Sequence, residues 1–234
     1  MVLGALVGLL MLGACFGALY WLLLPGHFPI TRLELTGNLK HSNKAEIEAA
    51  LPRVSGKAAG NAAGNFFAAD LAALRAGIER LPWVRRVSVR RVWPGRIEVS
   101  IEEHVALARW GDDRLVNTHG ETFSAKSKDS LPAFVAPGGT SAEVTRRYRR
   151  FSEIVAPLGT SVERIVLTPR HAWQLRLGNG LHLMLGRDAD IAEQRLQKFV
   201  EAHPATLART GKKHEYVDLR YPNGFALRVP DGNG

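Results

Sequence analysis

The sequence predicts an α+β chain in three parts: an N-terminal transmembrane helix over 1–24, a small β-α-α-β-β domain over 28–103, and a mostly antiparallel β domain with flanking helices over 104–229. A C-terminal edge hairpin closes the last part, and 230–234 is a tail. Three observations carry this. Residues 1–24 hold no charged side chain. Two helix-periodic segments lie between alternating strands in the next eighty or so positions. Three pairs of alternating segments then share one kind of turn, three residues long with glycine last.

The first run, MVLGALVGLLMLGACFGALYWLLL, would span about 36 Å as a helix at ~1.5 Å per residue. That exceeds the roughly 30 Å hydrocarbon core of a bilayer. Tyr20 and Trp21 lie near one end, where aromatic rings favour the interface, and Pro25-Gly26 stops the helix. A cleaved signal peptide would want a basic start and a shorter apolar core. A lipoprotein box is suggested by Leu12 to Cys15, but mostly apolar residues follow Cys15 where a polar tether belongs. Gly4 and Gly8, and again Gly13 and Gly17, have the small-xxx-small spacing that lets helices pack closely. Glycine is also simply common in membrane helices, so both explanations of that spacing stand.

Residues 30–37, ITRLELTG, read as a short strand. Asn43 and Glu46 form a capping box that opens a helix through Ala50-Leu51. The Gly/Ala/Asn-rich stretch 54–65 reads as a flexible loop. Asp70 caps a second helix whose Leu71, Leu74, Ile78 and Leu81 share one face, and Pro82 ends it.

Five arginines then fall within 85–96, in LPWVRRVSVRRVWPGRIEVSIEEH. A net charge of +9 raises the question of nucleic acid, an anionic membrane or an acidic partner. Side-chain parity answers it for this stretch. A three-residue loop, Trp93-Pro94-Gly95, pairs Val89 with Val99 and Val87 with Ile101, and sets Arg90 opposite Glu98 and Arg86 opposite Glu102. The arginines thus read as the wet face of a sheet rather than a phosphate-binding stripe, with Arg85, Arg91 and Arg96 left free.

In the second half, 105–110 and 114–117 read as strands around a Gly-Asp-Asp turn, with a further short strand at Phe123. Residues 126–141 read as loop. Val144, Tyr148, Phe151 and Val155 mark a helix closed by Pro157 and Gly159. A hairpin joins Trp173–Leu177 to Leu181–Leu185 through Gly178-Asn179-Gly180. A helix over 188–203 ends at Pro204. A last hairpin sets Val217, Leu219 and Tyr221 against Phe225, Leu227 and Val229 through Pro222-Asn223-Gly224.

Chemistry is sparse. The eight histidines include no i, i+4 pair and no HExxH, and there is neither a P-loop nor a GxSxG elbow. The sole cysteine, Cys15, lies in the apolar run. No cofactor, metal site or catalytic residue is expected, and the chain is not expected to be an enzyme. Recognition remains: a free strand edge in the last hairpin would accept a partner strand, with Arg220 and Tyr221 of the types that dominate interfaces.

The segments LPWVRRVSVRRVWPGRIEVSIEEHVALARW (81–110), LGNGLHLMLGR (177–187) and YVDLRYPNGFALR (216–228) together resemble the FtsQ/DivIB bacterial cell-division proteins. The resemblance implies a single-pass inner-membrane protein with a POTRA domain at 28–103 and a second periplasmic β domain, concentrated at the division septum. It implies a non-catalytic divisome scaffold that helps recruit and link early and late division proteins at midcell. The implied partners are FtsB and FtsL at the C-terminal edge, other division proteins at the POTRA domain and span, and the bilayer, with no nucleic acid. Carried over by residue, the edge contact is Arg220, Tyr221, Asn223, Gly224, Phe225 and Leu227. POTRA domains also occur in envelope assembly and secretion, so an adaptor of that kind is the alternative.

Overall fold

The computed structural model describes residues 2–24, 28–50, 65–210, 215–221 and 224–228. The chain divides into two compact units, Met1–His104 and Val105–Gly234.

The first unit opens with helix α1, Val2–Leu23, which has no charged residue in its first or last turn and whose described side chains are exposed except for the partly buried Leu22. Among the described residues no helix is long and apolar enough to cross a membrane. The Pro25-Gly26 stop lies outside the described residues.

Strand β1 (Arg32–Thr36), helix α2 (Lys44–Ala50), helix α3 (Leu71–Ile78), β2 (Val84–Val92) and β3 (Arg96–Glu103) follow in the expected order. The capping box forms: Asn43 Oδ1 accepts from the Glu46 amide at 2.7 Å, and the Asn43 amide donates to Glu46 Oε2 at 3.4 Å. Asp70 caps α3 by accepting from the Ala73 amide at 2.9 Å. The helix ends at Ile78, so Leu81 and Pro82 fall in the turn beyond it. The sheet order is β1-β3-β2, with β1 parallel and β2 antiparallel to β3. Ile47, Leu74, Ile78, Ile97 and Val99 are buried beneath it.

The β2–β3 register is the one parity demands, with Val89 opposite Val99, Val87 opposite Ile101 and Gly95 at φ 66°. The charges keep that register too, with Arg90 opposite Glu98, which it meets at 2.9 Å, and Arg86 opposite Glu102. Arg85, expected to be free, instead meets Glu102 at 2.6 Å. Nor are the other two free: Arg91 donates to the carbonyls of Phe66 and Ala69, and Arg96 pairs with Glu34 at 3.3 Å. The loop expected over 54–65 lies outside the described residues except for Asn65, which forms a bridge with Pro29.

The second unit contains β4 (Ala106–Trp110), β5 (Arg114–Asn117), β6 (Thr122–Phe123), β7 (Ala133–Val135), α4 (Ser141–Val155), β8 (Val162–Leu167), β9 (Trp173–Leu177), β10 (His182–Gly186), α5 (Ala189–Thr210), β11 (Tyr216–Asp218) and β12 (Ala226–Arg228). Its strands form one nine-stranded mixed sheet in the order β12-β11-β10-β9-β8-β7-β4-β5-β6. Five of its pairings are antiparallel; β4 with β7, β7 with β8, and β10 with β11 are parallel. Helix α4 packs on β8 and α5 on β10, and Phe151, Trp173, Leu183, Phe199 and Val217 share one core.

Three expectations need correction here. Residues 126–141 are not all loop: β7 lies among them, with Phe134 fully buried in mid-sheet. Pro204 does not end α5, which continues to Thr210 past a residue that cannot donate to the Val200 carbonyl. The last hairpin pairs Val217 with Leu227, not with Val229, so it is displaced by two residues and leaves 219–225 as the connection. A two-residue slip keeps every side chain on its own face, which is why parity could not detect it.

Candidate functional site: the C-terminal sheet edge

β12 ends the nine-stranded sheet on one side, and β11 ties it to β10. The β11 segment is fixed by alternation. Val217 and Leu219 are buried, and the Leu219 amide donates to the Met184 carbonyl at 2.9 Å. Between them Asp218, buried and charged, needs a partner. Arg220 supplies it: Nε lies 2.9 and 3.0 Å from the two carboxylate oxygens, Nη2 lies 2.5 Å from Oδ2, and the Arg220 amide donates to Oδ1 at 3.0 Å. The Arg220 side-chain bond holds the Asp218 carboxyl below its ordinary range, against the opposing effect of burial. The same bond raises the Arg220 guanidinium. Burial, and then the Asp218 charge, push the Tyr216 phenol up.

A shallow depression of about 690 Å³ adjoins this pair, lined by Arg170, Arg187, Arg195 and Arg220 together with Asp188 and Ile191. Gly186, at φ 97°, makes room for it: a Cβ there would stand 2.7 Å from Arg195 Nη1. Arg195 runs past to donate to the Leu185 carbonyl at 2.9 Å. Asp188 is occupied in accepting from the Asp190 and Ile191 amides at the start of α5. Among the described residues Arg170 and Arg187 have no ion pair, so the depression carries surplus positive charge. Sequence reasoning missed these three arginines. They come from three separate segments, and only the fold unites them.

Of the residues expected at the edge, Arg220 is held as described, Tyr221 is 56% exposed, and Gly224 is exposed with open space where a Cβ would sit. Phe225 is half-buried, its ring edge-on to Phe199 at 5.6 Å. Leu227 lies opposite Val217. Exposure on that face rises from 0% at Val217 to 40% at Leu227, because the sheet stops there. Asn223 lies outside the described residues. Gly4, Gly8, Gly13 and Gly17 sit along α1 with nothing within 4 Å of an added Cβ. Among the described residues no group of three or more His, Cys, Asp or Glu side chains is placed to hold a metal.

Two family models match the chain. Residues 28–104 match the POTRA domain, FtsQ-type, and residues 108–220 match the C-terminal model of cell division protein FtsQ/DivIB. A protein of Burkholderia pseudomallei named Cell division protein FtsQ is 40% identical over 230 residues, covering 96% of this chain and 89% of the relative. The chain belongs to the FtsQ/DivIB family. Other FtsQ relatives agree: one from Nitrosospira multiformis is 42% identical over 82% of this chain and 78% of its own length, and one from Escherichia coli is 36% identical over 85% and 72%. The FtsQ-type POTRA match covers the β1-α2-α3-β2-β3 unit, and the FtsQ/DivIB C-terminal match runs as far as Arg220.

Proposed function

We propose that this chain is a non-catalytic scaffold of the bacterial divisome, held in the inner membrane by α1 with both units in the periplasm at the septum. The whole α1 backbone, 22 residues, would measure about 33 Å, against the roughly 30 Å of a bilayer core. Gly4, Gly8, Gly13 and Gly17 would face partner helices in the membrane. The POTRA unit, with the span, would bring the protein to other division proteins at midcell, linking early and late components. FtsB, accompanied by FtsL, would bind the second unit by adding a strand to β12.

The observation that carries this reading is the unfinished edge. Among the described residues β12 has a paired strand on one side only, and its apolar face runs out into half-exposed Phe225 and Leu227 beside exposed Tyr221. An added strand would satisfy the free backbone groups and cover those side chains. The surplus arginines beside Arg220 favour an incoming segment that is acidic where it passes the depression.

Tyr221 gives the clean test, since it is exposed and outside the core cluster. Tyr221→Glu in the full chain should weaken FtsB capture by about tenfold or more, equivalent to ~1.4 kcal/mol. Thermal unfolding should not change. Undiminished capture with a folded variant would remove this edge as the binding site.

A further inference from the structure

Five aromatic rings of the first unit meet where the chain leaves α1. Trp21, in the last turn of the helix, lies 6.4 Å from Phe28, centroid to centroid. Phe28 lies 5.3 Å from Phe67 and 5.8 Å from Trp93, and Phe66 lies 5.9 Å from Trp93. Only Phe66 is a core residue: Trp93 is 64% exposed and Phe67 38%. Large rings gathered and left in water in this way signal a contact surface.

Hydrogen bonds fix the group to the helix end. Asn65 Nδ2 donates to the Leu22 and Leu24 carbonyls at 2.7 and 2.9 Å. The Phe66 amide donates to the Phe28 carbonyl at 2.7 Å, and the Gly95 carbonyl accepts from the Thr31 amide at 2.7 Å. Arg91 clamps the Phe66–Ala69 turn through its carbonyls. The β2–β3 hairpin tip, this turn and the exit of α1 therefore form one assembly.

We propose that this aromatic tip is a membrane-docking surface, with Phe28, Phe67 and Trp93 entering the headgroup layer beside the end of α1. The inference rests on the reading of α1 as a membrane span. Continuity identifies the occupant as lipid. The described side chains of α1 are apolar and mostly exposed, with Leu9, Leu10 and Met11 near 70% exposure, and this surface passes through Trp21 and Phe28 into the tip. Residues 1–31 hold no Lys, Arg, Asp or Glu. Arg32 is itself 71% exposed and held by Glu34 only at 3.5 Å, and its backbone lies against Gly95, so a cation stands near the tip where lipid phosphates would be. Aromatic rings partition to this depth, and an arginine above them meets anionic headgroups. The POTRA unit is then seated on the bilayer rather than hung from a tether.

The test is electron paramagnetic resonance depth measurement on the full chain in phosphatidylcholine–phosphatidylglycerol vesicles. The background is Cys15→Ala, with single nitroxides at Leu12→Cys, Phe67→Cys, Trp93→Cys and Asp112→Cys. The Phe67 label leaves Trp93 in place, and the Trp93 label leaves Phe67. Collisions with a water-soluble nickel chelate should be several-fold rarer at 67 and 93 than at 112, and oxygen should prefer 12 above all. Labels at 67 and 93 that match 112 while 12 is deep would overturn the docking and leave the span intact. A label at 12 open to the chelate would overturn the span and the docking with it.

Discussion

At the scale of single residues, two buried carboxylates organise the two units by different means. Asp218 is neutralised by one guanidinium, whereas Glu103, 6% exposed at its side chain, is held by backbone. Its oxygens accept from the amides of Lys40, His41 and Ser42 at 2.8, 3.1 and 2.7 Å. The His41 ring stacks on Trp83 at 3.7 Å and 7° above the same corner. Burial alone would raise the Glu103 carboxyl, but the donors outweigh it and hold it below its ordinary 4.5. A carboxyl depressed on folding contributes stability that is present above its ordinary value and lost as pH falls through the folded one. Glu103→Gln turns an N–H toward three donors and should cost about 1–3 kcal/mol at neutral pH. Urea unfolding should show that difference shrinking below pH 4.5 as the wild-type carboxylate takes up its proton. A pH-independent difference would mean that the lost contribution is packing rather than charge.

At the scale of elements, glycine-ended loops joined to side-chain parity made most of the hairpins legible. Gly95 and Gly180 both take positive φ, and each three-residue loop returns the apolar sets to one face. Gly95 has a second constraint, since an added Cβ would stand 2.8 Å from the Pro29 carbonyl oxygen. Gly95→Ala should therefore destabilise the first unit by more than about 1 kcal/mol, beyond the usual cost of a left-handed alanine, and should loosen the hairpin tip from residues 29–32. Hydrogen exchange at the Thr31 amide reads this directly, and unchanged protection there would refute the tie. Two strands were illegible for identifiable reasons. β7 has three residues, too few to express a period, and sits between Pro132 and Pro137. In β8 a bulge between Val162 and Arg164 leaves Glu163 and Arg164 both outward, which erases the alternation. In β11, Asp218 reads as an outward polar residue and is in fact buried, because the sequence cannot display the guanidinium that folds back onto it.

At the scale of the whole molecule, the chain has two separate hydrophobic cores that share no residue among those described. The first is built on three strands around Ile47, Leu74 and Ile78, and the second on nine strands around Phe134, Phe151 and Trp173. Phe134 sits on β7, which joins β4 on one side to β8 on the other, so the two halves of the large sheet meet at this residue's strand. Its ring is 4.8 Å from Tyr148 of α4. Phe134→Ala should leave a cavity costing about 3–5 kcal/mol, comparable to the whole stability of many domains. Because no core residue is shared, the loss should fall on one unit only. Calorimetry should show the transition of the second unit moving down while that of the first stays in place. Amides of β2 and β3 should keep their exchange protection in the same variant. At temperatures between the two transitions, capture at the β12 edge should be lost while the aromatic tip still docks on lipid, which would separate the two proposed attachments physically. A single transition that moves as a whole would instead mean that the units unfold together and that neither attachment is independent of the other.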